Sequence, residues 1–242
     1  MKLHASTSIF LIFFHFIKTQ KTIFTSALAA LLLSSVLVLD SCKKKNEDPL
    51  AQNIQRLVPR KVIDTLRTMG MNIIETGKPV QITGVYEMNP LVLFASSNSS
   101  DIFGSVFSPL RIRFTDQNDA DQSIKMDYKN GRETGSGIGG FVAGSGNKFS
   151  AFFETSGSYG SSTFKSSIVL TGEWSSNGIQ NMQYALYVKE KNDPSGSLVK
   201  IGTTRAFNDK DGLANKVATF RLAADDNGLT DSSQILKSAA MK

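Results

Sequence analysis

The sequence predicts an all-β fold: an eight-stranded antiparallel up-and-down barrel preceded by one short helix, with a two-sheet β-sandwich as the alternative. Three observations predict it. Beyond Pro79 the apolar residues recur with period two, clusters of glycine, serine and asparagine punctuate them, and no helical pattern intervenes to carry a parallel crossover. Sequential antiparallel strands buried on one side favour closure, because closure removes the edges a meander would leave exposed. Periodicity alone does not separate the barrel from the sandwich.

The elements follow in chain order. Residues 1–41 read as a signal peptide: 9–17 are almost wholly apolar, Lys18 and Lys21 follow, and 27–39 are again apolar. Leu39, Asp40, Ser41 and Cys42 resemble a bacterial lipobox, which makes Cys42 the expected lipidation site and the first residue of the mature chain. A transmembrane anchor over 22–39 is the alternative, since that run approaches the length of a bilayer span. Cys42 is the only cysteine in the chain, so it has no internal disulfide partner, and lipidation gives it a use. Two acyl chains, at about 0.8 kcal/mol per buried methylene, make a stable anchor.

Residues 42–56, opening with Lys43, Lys44, Lys45, Asn46, Glu47 and Asp48, read as an unpacked tether. Next comes a helix over 57–70, with Pro59 at its first position, Val62, Ile63, Leu66 and Met69 on one stripe, and Gly70 as its stop. Strands are expected over 80–88, 110–114, 124–128, 137–142, 149–154, 164–174, 182–189 and 198–207. Residues 91–109 read as a long loop over one end. The barrel domain is thus 57–214, and 215–242 form a polar tail, expected to be partly disordered, with one candidate short strand over 217–222.

Composition excludes several chemistries. Both histidines, His4 and His15, lie in the signal peptide, so the mature chain can build no Ser-His-Asp or Cys-His nucleophile and no imidazole zinc site. Losing Lys2, Lys18, Lys21 and Asp40 lowers the net charge from +6 to +4, too slight and too scattered for a nucleic-acid footprint. Gly135, Gly137 and Gly140 spell GxGxxG, but a strand pattern rather than a helix follows, so they read as a bulged or bent wall strand. Asn208, Asp209, Asp211 and Gly212 look like part of a calcium loop, as do Asp225 to Gly228. No Glu follows Glu190 to complete such a loop, and tight turns are the simpler reading. No cofactor is expected.

A glycosidase needs two carboxylates flanking one sugar bond. Glu87, Glu154 and Glu173 fall on strands, but alternation turns each of them outward, and Arg111 and Arg113 likewise form an outer-face pair. Tyr128, Phe149, Phe153, Phe164, Trp174 and Tyr187 are the candidate fillers of the interior, or the lining of a ligand cavity within it.

Gly77, Pro79, Ile82, Gly84, Tyr86 and Pro90, with the later Gly144-Ser145-Gly146-Asn147-Lys148-Phe149 and Arg205-Ala206-Phe207, resemble a group of Bacteroidota outer-membrane lipoproteins. That likeness carries no activity and transfers no functional residue except Cys42. Charged residues just after the lipidated cysteine resemble the surface-export signal of such lipoproteins, a solvated linker being the other reading. The chain is also loosely similar to lipocalins, with Gly84-Val85-Tyr86 where they carry Gly-x-Trp and Arg205 on the last strand. In a closed eight-strand meander the first and last strands are neighbours, which predicts that the Arg205 guanidinium packs across the Tyr86 ring where the barrel closes, with the helix or its following loop as a plug.

Together these readings give a non-catalytic lipoprotein held on the outer membrane through Cys42, surface-exposed if the export signal holds. It would bind a small apolar molecule, a glycan or a surface partner protein through its barrel or loops. A carboxylate-based hydrolase of extracellular glycans is the alternative.

Overall fold

The computed structural model describes residues 48–221 and 235–237. The expected signal peptide and lipobox, with Cys42, lie outside the described residues, as does the second calcium-like stretch.

Among the described residues two helices precede the barrel where one was expected. Helix α1, Pro49–Leu57, starts from Asp48, whose carboxylate accepts from the Leu50 N–H at 3.0 Å, with Pro49 pre-set for the first turn. It ends because Pro59 follows, and the residue before a proline is driven out of the helical region: Val58 is extended at φ −124°, ψ 109°. Helix α2, Arg60–Thr68, stops at Gly70 as expected. Gly70 takes the left-handed φ of 101° that lets its N–H reach the Arg67 carbonyl and the Met71 N–H reach that of Leu66, both at 3.0 Å. Most of the expected tether is therefore packed helix. Leu50 and Ile54, one turn apart, are buried, a stripe hidden in sequence by the charges just before it. Asp48→Ala is accordingly expected to cost about 1 kcal/mol in urea denaturation, the usual loss for an N-cap carboxylate.

The strands are β1 Gly84–Met88, β2 Leu91–Ser96, β3 Val106–Phe107, β4 Leu110–Asn118, β5 Ser123–Asn130, β6 Glu133–Ser145, β7 Lys148–Tyr159, β8 Ser162–Ser175, β9 Gly178–Asn192, β10 Thr204–Asp209 and β11 Leu213–Lys216. All pair antiparallel, and eight of them close a ring in the order β11-β1-β4-β5-β6-β7-β8-β9, with β11 returning to β9. β10, β2 and β3 continue the wall beyond the upper half of β9. β1 with β2, and β10 with β11, act as two bent strands, and they are the neighbours that seal the seam, with Tyr86 opposite Lys216 and Arg205 opposite Ser96.

Several expected boundaries move. Residues 91–96 are strand rather than loop, the last strand starts at Thr204 rather than 198, and the short strand of the tail is Leu213–Lys216 while 217–221 are not strand. β2 escaped notice because Leu91 and Leu93 face the interior while Phe94 and Ala95 face the outer cluster, so no polar residue alternates with them.

Burial is two-layered. Inside, rings interlock: Phe153 with Phe114 at 6.2 Å, Phe114 with Tyr86 at 6.1 Å, Tyr128 with Tyr184 at 6.3 Å, Tyr184 with Phe207 at 6.2 Å and Phe207 with Phe107 at 5.0 Å. The GxGxxG glycines make room for them. A Cβ at Gly135 would lie 2.3 Å from the Tyr128 ring, and one at Gly140 would lie 2.3 Å from that of Phe153. The strand carries a register shift between Gly137 and Gly139, so it is the bulged wall strand that was expected. Outside, one register row crosses six strands: Phe141, Phe152, Val169, Ala185, Ala206 and Ala95. The small residues of this row let α1 and α2 lie close, burying Ile54, Ile63 and Leu66 against it. Ser167 Oγ–H donates to the Leu57 carbonyl at 2.7 Å, satisfying one orphan group at the end of α1.

Candidate functional site

The barrel end where β2 stops and β6 and β10 start holds a buried polar network inside an otherwise apolar interior. Call this end the rim. Alternation along β10 turns Arg205 and Phe207 inward and Ala206 outward. Arg205 is 1 % exposed. Its guanidinium donates from Nε to Asp101 Oδ2 at 2.7 Å and from Nη2 to Asp101 Oδ1 at 2.5 Å, a bidentate pair with a carboxylate that is itself only 3 % exposed. Ser96 Oγ and Asn98 Nδ2 also donate to Asp101, at 2.6 and 3.2 Å. Burial acts to raise the Asp101 pKa, but these hydrogen bonds and the Arg205 charge outweigh it and hold the carboxyl below its ordinary range.

The remaining Arg205 donor is committed to the chain's own C-terminal segment. Nη1 reaches the carbonyls of Ile235 and Lys237, each at 2.8 Å. Asn130 Oδ1 accepts from the Ile235 N–H at 2.9 Å, while its Nδ2 donates to the Ser108 carbonyl at 2.6 Å. Glu133 accepts from the Leu236 N–H at 3.2 Å on one oxygen and from the Tyr128 hydroxyl at 2.9 Å on the other. The Val199 N–H completes the set by donating to the Leu236 carbonyl at 2.9 Å. Ile235 and Leu236 themselves are buried in the interior cluster. Glu133 has no exposure at all, and burial pushes its pKa up to about 8 against the lowering effects of Tyr128, the Leu236 amide and the Arg205 charge. Burial, with Glu133 next in effect, raises Tyr128 well above the phenolic range.

The structure redistributes the expected site residues. Tyr128, Phe149, Phe153 and Phe164 are interior and buried, and Trp174 packs half-buried against them. Tyr187 is not interior: its neighbours Leu186 and Val188 point in, so Tyr187 points out and joins the cluster under the helices. Arg205 does not stack on Tyr86. Its strand partner is Ser96, whereas Tyr86 lies opposite Lys216 lower on the seam, so the guanidinium sits over Phe107 at 5.8 Å and Tyr86 packs on Phe114. The plug is the 235–237 segment; α1 and α2 cover the outer wall instead. Glu87, Glu154 and Glu173 pair outside with Arg111, Lys189 and Lys148, and Arg113 pairs with Asp127. Asp211 caps a tight turn, accepting from the Leu213 N–H at 3.1 Å.

Glu133 and Asn130 were missed because Lys129 to Glu133 is, locally, an ordinary polar hairpin. A signal did exist for their partner, since Ile235-Leu236 is the only place in residues 215–242 where two of Val, Ile and Leu stand side by side. Two polar grooves, of about 550 and 440 Å³, lie on the outer wall. The larger is lined by Arg67, Asn72, Lys148, Glu173 and Gln183 and the other by Arg113, Lys129 and Phe220 among others. Among the described residues no group of three or more His, Cys, Asp or Glu is placed to hold a metal ion. No helix among them is long and apolar enough to cross a membrane. No known family model, curated protein or solved structure matches the chain.

Proposed function

We propose that the chain is a non-catalytic binding protein, tethered to the outer membrane by lipid on Cys42, whose ligand or partner engages the barrel rim. The observation that carries this reading is the direction of the rim's chemistry. Arg205, Asn130 and Glu133 are buried and aimed at backbone groups of a short segment, which is how a receptor is built. A hydrolase would need two carboxylates converging on open space. Here Glu133 is held by Tyr128 and Leu236, Asp101 is saturated by Arg205, Ser96 and Asn98, and the strand glutamates pair on the outer face. The exposed Ile102, Phe103 and Ile201 add apolar surface on loops adjoining the same end.

Two measurements test the proposal separately. Cys42→Ala is expected to abolish incorporation of a clickable fatty acid in cells and to leave an uncleaved precursor; label retained by the variant would refute the anchor. The rim is tested by anilinonaphthalene sulfonate fluorescence. Full-length protein carrying Ile235→Ala and Leu236→Ala is expected to bind the dye more strongly than the parent while keeping its near-ultraviolet circular dichroism. Equal binding would remove the rim as a receiving site.

A further inference from the structure

The rim specifies its ligand more narrowly than an apolar pocket would. Two adjacent amide N–H groups are accepted by Asn130 and Glu133, and three successive carbonyls are met by Arg205, Val199 and Arg205 again. Only consecutive peptide units offer donors and acceptors in that order. An acyl chain or sterol could fill the space of the Ile235 and Leu236 side chains but would leave one buried hydrogen-bonding atom on each of Arg205, Asn130 and Glu133 without its partner, at about 1–3 kcal/mol each. Ile235 and Leu236 lie in a turn and only Lys237 is bridged, antiparallel to Leu198, so the segment enters the rim as a turn gripped mainly by side chains rather than as an added strand.

The segment is also separable from the wall. The ring of eight strands closes through β1–β11 and β11–β9 with no contribution from 235–237, and the grip on the segment comes chiefly from side chains already placed by β5, β6 and β10. Removing the occupant breaks no pairing of the ring. It does free one hydrogen-bonding atom on each of Arg205, Glu133 and Asn130, whose other atoms stay paired with Asp101, Tyr128 and Ser108, and that deficit is what draws in a peptide.

Resting on the binding reading above, we propose that the rim is a peptide-binding site, that its ligand is a turn-forming segment of a partner protein with two consecutive aliphatic residues, and that Ile235-Leu236 is its resident competitor. A ligand must then outcompete an intramolecular segment, to which covalent linkage gives an effective concentration on the order of millimolar.

The test uses full-length protein carrying Ile235→Ala and Leu236→Ala and a fluorescein-labelled peptide Ser-Ser-Gln-Ile-Leu-Lys-Ser, followed by fluorescence anisotropy. The variant is expected to bind the peptide saturably and about tenfold or more tighter than the parent, whose own segment competes. A peptide with both aliphatic residues replaced by serine is expected not to bind. Absence of saturable binding up to about 1 mM, the scale of that effective concentration, overturns the proposal. Dye or palmitate binding without peptide binding overturns the peptide class while leaving the general binding reading intact. Should the double variant lose its near-ultraviolet circular dichroism, Leu236→Ala alone is measured in the same way. Loss of fold in both would show that the segment is part of the core rather than an occupant, and would equally overturn it.

Discussion

Arg205→Ala is expected to be among the most damaging single substitutions in the barrel, costing about 3 to 5 kcal/mol, the range for removing one partner of a buried ion pair. The reason is what remains behind. Asp101, 3 % exposed, would keep only Ser96 and Asn98, and the carbonyls of Ile235 and Lys237 would lose their donor. Arg205→Lys should cost less, because the charge survives, yet a single ammonium cannot reproduce the two-oxygen grip on Asp101. Removing both charges, with Arg205→Met and Asp101→Leu, should recover part of the loss, since no unpaired carboxylate is left. Urea denaturation of the four proteins measures all of this. A cost under about 1 kcal/mol for Arg205→Ala would place the pair in the class of exposed ion pairs and contradict the network.

The second large effect is on pH dependence. Two carboxyls have folded-state pKa values above their ordinary ones: Glu133, about 8 against 4.5, and Asp209, about 7 against 3.8. Burial is the first cause for both. For Asp209 the Asp211 carboxyl adds to it, amides of Asn89 and Asp211 oppose it, and both carboxylate oxygens lack a partner at ordinary hydrogen-bond geometry. A raised acid binds its proton more tightly in the folded state, so its stabilising contribution is complete below the unfolded value and is lost as pH rises through the folded one. Stability should therefore fall from about pH 4 to pH 8, by an amount on the order of a few kcal/mol from Glu133 alone. Asp101 and Asp193, both lowered, act oppositely and withdraw stability only as pH drops below the ordinary aspartate range. Glu133→Gln should flatten the fall up to pH 8, and Asp209→Asn the part up to pH 7. Melting temperatures across this range give the readout. A parent whose stability rises steadily from pH 4 to pH 8 would contradict the buried protonated carboxyls.

How legible all this was in the sequence depended on how local the cause was. Strands β4 to β9 were visible because one face of each meets the interior, so Leu110, Ile112 and Phe114, or Ile124, Met126 and Tyr128, recur every second residue. The alternation breaks where both faces are covered. Phe152 and Phe153 are adjacent yet point to different cores, and Leu91 to Ala95 were hidden in the same way. Outward placement of Arg111, Arg113 and the strand glutamates followed from the same parity and held. Arg205 could be placed on the last strand by pattern, but its partner could not, because Asp101 and the 235–237 carbonyls come from segments far away in sequence. Glu133 was invisible for the same reason, since its burial is created by residues more than a hundred positions later.

Hydrogen exchange at the Ile235 and Leu236 amides tests the central claim most directly, because those two N–H groups are what Asn130 and Glu133 hold. In the full-length parent both are expected to exchange far more slowly than free-peptide amides, and Glu133→Gln should speed Leu236 more than Ile235. Protection should still fall short of that at Val169 in the middle of β8, since opening at the rim needs no strand of the ring to part. Exchange at the rate of an unstructured peptide would contradict the account, for the rim would then hold nothing.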